Sequence, residues 1–175
     1  VNDGSKDQTA KQLIDEFDMV EVKSRVRWSG LGKETKPIRG IYRSLQHSNL
    51  VLVDKENGGK ADALNVGINV CQYPYFASLD GDTVLDQDAF VKVMKPIMDA
   101  GPNEEIVATG GSVGIANGSY VDSGYLSRDS VRLSHKPLVV MQVIEYLRAF
   151  LMGRIGLSHH NLLLIVSGAF GIFKK

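Results

Sequence analysis

The chain has 175 residues, about one domain by length and long enough to bury a substantial core. Its 20 basic and 20 acidic side chains cancel to a formal charge of +0, which argues against a nucleic-acid footprint and a strongly basic membrane patch. The single cysteine, Cys71, excludes an internal disulfide, and no apolar run approaches the ~18 residues of a membrane-spanning helix.

Val1-Asn2-Asp3-Gly4-Ser5 reads as a strand end entering a turn, without the charged-then-apolar form of a secretory leader. Such a motif at residue one, with no starting Met, is expected of a fragment. Ser5 as N-cap, with Gln8 as its capping-box partner, predicts a helix placing Ala10, Leu13, Ile14 and Phe17 on one face. Val20 and Val22 mark a loose strand within Met19 to Val26. From Arg25 to Arg43 the chain is basic and glycine-bearing, which predicts a long surface loop with a short helix near Ile38 to Leu45. A solvated insertion is the simpler account of these cations, and phosphate contact is the alternative.

Leu50-Val51-Leu52-Val53 is an apolar run of strand length. It leads through Asn57-Gly58-Gly59-Lys60 into a helix with Leu64, Ile68 and Cys71 on one face, where the cysteine acts as a small hydrophobe. Backbone amides at that helix start, with Lys60 beside them, suit a diphosphate, although the spacing is not that of a Walker loop. Alone, Lys60 is more often an exposed helix-start lysine.

Tyr75 to Leu79 predicts the next strand, and Asp80-Gly81-Asp82 follows at its end. In an extended segment the two carboxylates would point the same way, and Gly81 would let a ligand approach. Hard oxygen ligands of this kind suit magnesium or manganese, although an isolated Asp-Gly-Asp is more often a solvated turn. An EF-hand is excluded, because its glycine and glutamate positions hold Leu85 and Val91. Asp86 would cap a helix with Phe90, Val93, Met94, Ile97 and Met98 on its apolar face.

Ile106 to Ile115 predicts a strand broken or bulged at Gly110-Gly111, and Ala116 to Lys136 a loop with one hairpin. Pro137 opens a long helix through about Ile155, apolar around most of its circumference, ended by Gly156 and followed by His159-His160 in a surface loop. Such a helix is buried or meets something apolar outside the chain. Leu162 to Val166 predicts a last buried strand before Ser167-Gly168-Ala169-Phe170. Strands alternating with helices imply an α/β domain with a parallel or mixed sheet. In such sheets ligands sit beyond the carboxyl ends of the strands, where Asp3, Lys60, Asp80 and Asp82 all fall, so one cleft could gather the four.

The ordered set Val1 to Ser5, Asn57-Gly58-Gly59-Lys60-Ala61-Asp62-Ala63-Leu64-Asn65, Leu79-Asp80-Gly81-Asp82 and Ser167 to Phe170 resembles the family 2 glycosyltransferases. The nearest likeness is to the bacterial membrane-embedded branch of chitin, hyaluronan and poly-N-acetylglucosamine synthases. The resemblance implies a GT-A fold and inverting sugar transfer from a nucleotide-sugar, usually a UDP-sugar, to a glycan acceptor with a divalent metal. By position, Asp3 looks like the aspartate at the nucleotide base, with Lys60 and its neighbour Asp62 beside the nucleotide. Asp80 looks like the first acid of the Asp-x-Asp motif, near ribose and metal, and Asp82 like the metal ligand. The Pro137 helix and the Ser167 to Phe170 turn resemble segments that floor the acceptor side. The family's catalytic base is expected beyond Lys175, and a preceding strand and helix before Val1. The fragment should therefore bind donor without turnover, and an unpaired sheet edge favours its self-association. The resemblance also implies the cytoplasmic face of the plasma membrane, reached through further transmembrane helices or the Pro137 helix. A nucleotidyltransferase with a similar cleft and a non-catalytic sugar-nucleotide-binding module remain as alternatives.

Overall fold

The computed structural model describes residues 1–23, 34–122, 125–126, 132–162, 166 and 169–175, so the basic stretch around Trp28 and the pair Ser167-Gly168 lie outside the described residues. The chain divides into two compact units, Val1–Pro74 and Tyr75–Lys175.

The first unit contains β1 (Asn2–Asp3), α1 (Thr9–Glu16), β2 (Met19–Glu21), β3 (Ile38–Ser44), β4 (Val51–Lys55) and α2 (Lys60–Val70). Its described strands form a mixed sheet of order β1-β4-β3-β2, parallel between β1 and β4 and antiparallel elsewhere. The parallel register sets Asn2 against Asp54 and Asp3 against Lys55, so two strands end at one edge. The apolar run at Leu50–Val53 is the strand expected, with Leu52 and Val53 buried.

Four local expectations change. Helix α1 starts at Thr9 instead of after Ser5, because the Asp7 carboxylate accepts from the Thr9 amide at 3.0 Å and the Thr9 hydroxyl at 2.6 Å. In β2 the buried residue is Met19, while Val20 is 46% exposed. The segment expected as a short helix at Ile38 to Leu45 is β3. Its β-branched and aromatic residues fit a pleated surface, and an interior glycine weakens a helix by about 1 kcal/mol. Helix α2 buries Val66 and Asn69 completely, while Leu64, Ile68 and Cys71 are only half-buried.

The second unit contains β5 (Tyr75–Leu79), α3 (Ala89–Asp99), β6 (Ala108–Gly110), β7 (Val121–Asp122), β8 (Tyr125–Leu126), α4 (Pro137–Tyr146), a π-helical stretch (Leu147–Gly153), α5 (Arg154–His159) and β9 (Phe170–Lys174). Strand β9 runs between β5 and β6, antiparallel to both. Phe170 and Ile172, two residues apart on one face, are buried against Val93 of α3, with Ala89, Met94 and Ile97 beside them. Phe90 and Met98, expected on that apolar face, are 45% and 72% exposed. Asp86 does not cap α3, which begins after Asp88; its carboxylate accepts from the Gln87 amide and from Lys92 instead.

The expected strand at Ile106 to Ile115 shortens to β6 and stops at the anticipated glycine pair. The hairpin expected in the following loop is β7 with β8. The long helix begins at Pro137 as expected but passes through Gly156 to His159, which places His159 in α5 instead of a loop. Asn161, at φ 55°, supplies the left-handed residue that follows the helix end, a conformation asparagine tolerates better than most residues. The helix is not buried: Leu138, Met141, Ile144 and Met152 are among its exposed apolar residues. The last strand is β9 and not Leu162 to Val166; Leu162 is exposed, and 163–165 lie outside the described residues.

Phe170→Ala should destabilise the chain by about 3–5 kcal/mol in urea unfolding followed by circular dichroism, as expected for loss of a core aromatic. Met98→Ala, on an exposed position of α3, should stay within about 0.5 kcal/mol of the unaltered chain in the same measurement.

Candidate functional site

The first unit gathers Asp3 and Asp62 around a lysine that the sequence did not single out. The side chain of Lys55 has 0% exposure. Its ammonium lies 2.6 Å from Asp3 Oδ1 and 2.5 Å from Asp62 Oδ2, and it donates to the Glu56 carbonyl at 2.5 Å, so its three donors are filled. The parallel register of β1 and β4 brings Asp3 to it, and the first turn of α2 brings Asp62. Burial alone would lower the Lys55 pKa, but hydrogen bonds and charge from Asp3 and Asp62 outweigh it and hold the ammonium above the ordinary 10.5. A clue was available: Lys55 closes an apolar strand immediately before a Gly-Gly turn with acids on both sides.

Asp3 is also the anion at the start of α2. Its Oδ1 accepts from the Gly58 amide at 3.0 Å and its Oδ2 from the Gly59 amide at 2.7 Å. The Asn57 side-chain amide donates to the Asp3 carbonyl at 2.9 Å. The amides expected to meet a diphosphate are thus bonded to a carboxylate of the chain itself, which corrects that expectation. The Lys55 hydrogen bond, followed by those amide bonds, holds the Asp3 pKa below the ordinary 3.8. Among the described residues three of its roughly four lone-pair positions are occupied, leaving about one for another donor. Asp62 additionally accepts from the Lys36 amide at 3.2 and 3.3 Å, and Lys60 stands exposed as the first residue of α2.

The glycines of this turn serve different needs. A Cβ at Gly58 would lie 2.5 Å from Asp62 Oδ2, whereas at Gly59 nothing is within 4 Å and the φ of 86° is what favours glycine.

In the second unit, Asp80, Asp82 and Asp86 line a cavity of about 890 Å³. Asp80 follows β5 directly, half-buried; its amide donates to the Ala169 carbonyl at 3.3 Å, and its carbonyl accepts from the Thr83 amide at 3.1 Å. Asp80 to Thr83 is therefore a turn and not the extended alternation expected, and Asp82 stands exposed on it. The Thr83 hydroxyl also donates to Ala169, at 3.4 Å. Ala169 and Phe170, the described part of the expected Ser167 to Phe170 turn, line the cavity beside the acids, as do Gln142 and Tyr146 of α4. Lys92 lines it too, held by Asp86 at 3.0 Å and Asp88 at 2.7 Å.

Two carboxylates with neighbouring hydroxyl and carbonyl oxygens are a hard donor set, which fits magnesium or manganese completed by substrate and water. Among the described residues no three His, Cys, Asp or Glu side chains form a complete metal cage. His159 and His160 stack edge to face at 5.3 Å, and among the described residues they are part of no cluster of three such ligands.

A mixed α/β chain with acids beyond its strand ends is of the class that binds ligands at the carboxyl edge of a sheet. The chain belongs to glycosyl transferase family 2, whose family model, Glycosyl transferase family 2, matches residues 32–121. Its fold is accordingly of the α/β GT-A type. It is similar to the poly-beta-1,6-N-acetyl-D-glucosamine synthase of Staphylococcus aureus (strain COL), 48% identical over 50 residues, which are 28% of this chain and 12% of that protein. The protein of the same name from Staphylococcus epidermidis is 33% identical over 138 residues, 77% of this chain and 28% of its own length. The chain thus matches less than a third of the length of these relatives. No solved structure matches it.

Because the Asp3 pKa is lowered, its contribution to stability is complete above 3.8 and disappears as pH falls through the folded value. That of Lys55, whose pKa is raised, is complete below 10.5 and disappears as pH rises through the folded value. Urea unfolding across pH should show a plateau with loss on both sides, and Asp3→Asn should flatten the acid limb below about pH 4. Lys55→Met, which leaves two acids facing each other, should lower stability at neutral pH by about 3–5 kcal/mol.

Proposed function

We propose that this chain is the donor-binding part of an inverting, metal-dependent glycosyltransferase that moves a sugar from a nucleotide-sugar, of the UDP-sugar class, to a glycan acceptor. Membership of the glycosyl transferase family supports sugar transfer itself. The observation that carries the finer statement is the cavity where Asp80 and Asp82 meet Ala169 and Phe170.

In this reading Asp82, exposed on the turn, and Asp80 would hold a divalent cation, which when bound would supply neutralisation of charge on the departing diphosphate. The bond from the Asp80 amide to Ala169 and that from the Thr83 hydroxyl fix the turn, so the carboxylates need little reorganisation when substrate arrives. Asp3, Lys60 and Asp62 take the nucleotide roles. Asp3 offers its remaining lone pair to a base donor, and its bonds to Lys55, Gly58 and Gly59 keep the carboxylate ionised and oriented. Lys60, exposed at the first position of α2, supplies an ammonium for phosphate.

The relatives named above are synthases of a β-1,6-linked N-acetylglucosamine polymer, and an N-acetylhexosamine donor with a growing glycan acceptor is the corresponding proposal for this chain. A position at the cytoplasmic face of a membrane belongs to the same proposal. Among the described residues no helix is long and apolar enough to cross a bilayer, and the exposed apolar residues of α4 are consistent with a neighbouring apolar phase.

Calorimetry with UDP, a UDP-sugar and a nucleoside triphosphate, each with and without manganese, tests the proposal. UDP should bind in a manganese-dependent manner, and Asp82→Ala should weaken that binding at least about tenfold, the scale expected when one of a few metal-holding carboxylates is removed. A preference for the nucleoside triphosphate would favour the nucleotidyltransferase alternative, and indifference to UDP would overturn the proposal.

A further inference from the structure

Lys55 occupies a place that stability alone does not explain. Its side chain is wholly buried, with its ammonium shared between Asp3 at 2.6 Å and Asp62 at 2.5 Å. Taking such charges out of water costs about as much as their pairing returns, and replacing a buried ionic trio whole by packed apolar side chains often leaves a fold as stable. The neighbouring register pair shows that the same sheet edge can hold an acid without a buried cation. There Asp54 accepts from the Asn2 side-chain amide at 2.6 Å, and the Arg39 guanidinium, 53% exposed, lies 4.0 Å away.

What a buried cation supplies at Asp3 is a carboxylate held in one orientation. Oδ1 accepts from Lys55 and from the Gly58 amide, and Oδ2 from the Gly59 amide, so among the described residues the open acceptor position lies on Oδ2. The side chain is 20% exposed, which leaves that position within reach of a ligand. Of the three anchors the ammonium is the strongest, because a bond between two ions is about twice as strong as a neutral one.

Asp62 is placed to act on Lys55 and not on a ligand. Its Oδ2 takes the ammonium, both of its oxygens accept from the Lys36 amide at 3.2 and 3.3 Å, and its side chain is 17% exposed. The Glu56 carbonyl fills the last donor of the lysine, so Lys55 has no proton left for a phosphate. An ionised Asp3 can only accept, and its ligand must bring a donor. A uracil-type ring presents an N–H between two carbonyls, whereas a cytosine-type ring presents a bare nitrogen whose lone pair would face the carboxylate.

We propose that Lys55, seated by Asp62, is a positioning residue that holds Asp3 as a fixed hydrogen-bond acceptor and so makes the donor site select a base with a ring N–H. This deepens the glycosyl-transfer reading above, on which it rests: the nucleotide role of Asp62 is exerted through Lys55. A site built around such an acceptor discriminates strongly against a base that lacks the donor, because the buried charge is then left unpaired.

Calorimetric titration of the 175-residue chain with UDP and with CDP, each with manganese, tests the assignment. The unaltered chain should bind UDP at least about tenfold more tightly than CDP, the scale of one charged hydrogen bond. Lys55→Met should cut that ratio about tenfold, because UDP loses an oriented contact that CDP never makes. In the same variant two acids are left facing each other and retain a proton more readily, so UDP affinity should fall as pH drops from about 7.5 to about 5.5, while that of the unaltered chain stays level. Asp62→Asn spares the lysine and keeps the size of the side chain, and it reports where Lys55→Met does not fold; it should lower the ratio by about threefold or more. A lysine that only holds the fold together, or an Asp62 that itself touches ribose or phosphate, would lower UDP and CDP affinity alike. A ratio unchanged in Lys55→Met, or in Asp62→Asn where the former does not fold, would therefore overturn the assignment. UDP binding with manganese but without preference over CDP would overturn this inference alone, and binding of neither would overturn the glycosyl-transfer reading as well.

Discussion

One buried ammonium ties the first unit together. Lys55 is reached by Asp3 from a neighbouring strand and by Asp62 from the first turn of a helix, so strand pairing, turn and helix start share a single electrostatic centre. A charge with no exposure is tolerated only where its donors are filled, and here a carbonyl completes the set. Asp3 carries the arrangement further, since the same carboxylate holds the amides that open α2. Registry follows from this: slipping β1 by one residue against β4 would leave the ammonium without Asp3 and the helix start without its anion.

The second unit arranges its acids differently. Asp80 is anchored through its backbone and Asp82 is left exposed. The anchor comes from far along the chain, because the Thr83 hydroxyl bonds the carbonyl of a residue 86 positions later. Strand β9 is therefore more than a core strand. By pairing with both β5 and β6 it sets Ala169 beneath the acidic turn and Phe170 against α3.

Much of this was legible in the sequence where one local signal dominated. The apolar runs at Leu50–Val53 and Tyr75–Leu79, the glycine break at Gly110-Gly111, the hairpin and Pro137 as a helix start all correspond to observed features. Most of the misplacements share a cause, a local signal competing with a distant partner, whereas at the start of α1 one local signal displaced another. Ser5 offered a good cap but Asp7 bound Thr9, and Ile38 to Ser44 is a strand because β2 and β4 lie on either side to pair with it. The final strand fell late because its position is set by two partners distant in sequence. The acids of the candidate site were visible as motifs, but Lys55 was not, since its importance comes from a parallel register that no local pattern encodes.

The adjacent glycines before α2 carry a consequence of handedness. Position 58 excludes a side chain because matter already fills the space, so an added methyl there meets the Asp62 carboxylate. Position 59 has room, and its objection is to chirality alone, since a φ of 86° with ψ of 170° mirrors the extended geometry natural to an L-residue. A D-amino acid would therefore be at home at 59 and would restrict the unfolded chain more than glycine does. Two identical letters side by side thus record two unrelated constraints, one of volume and one of mirror symmetry.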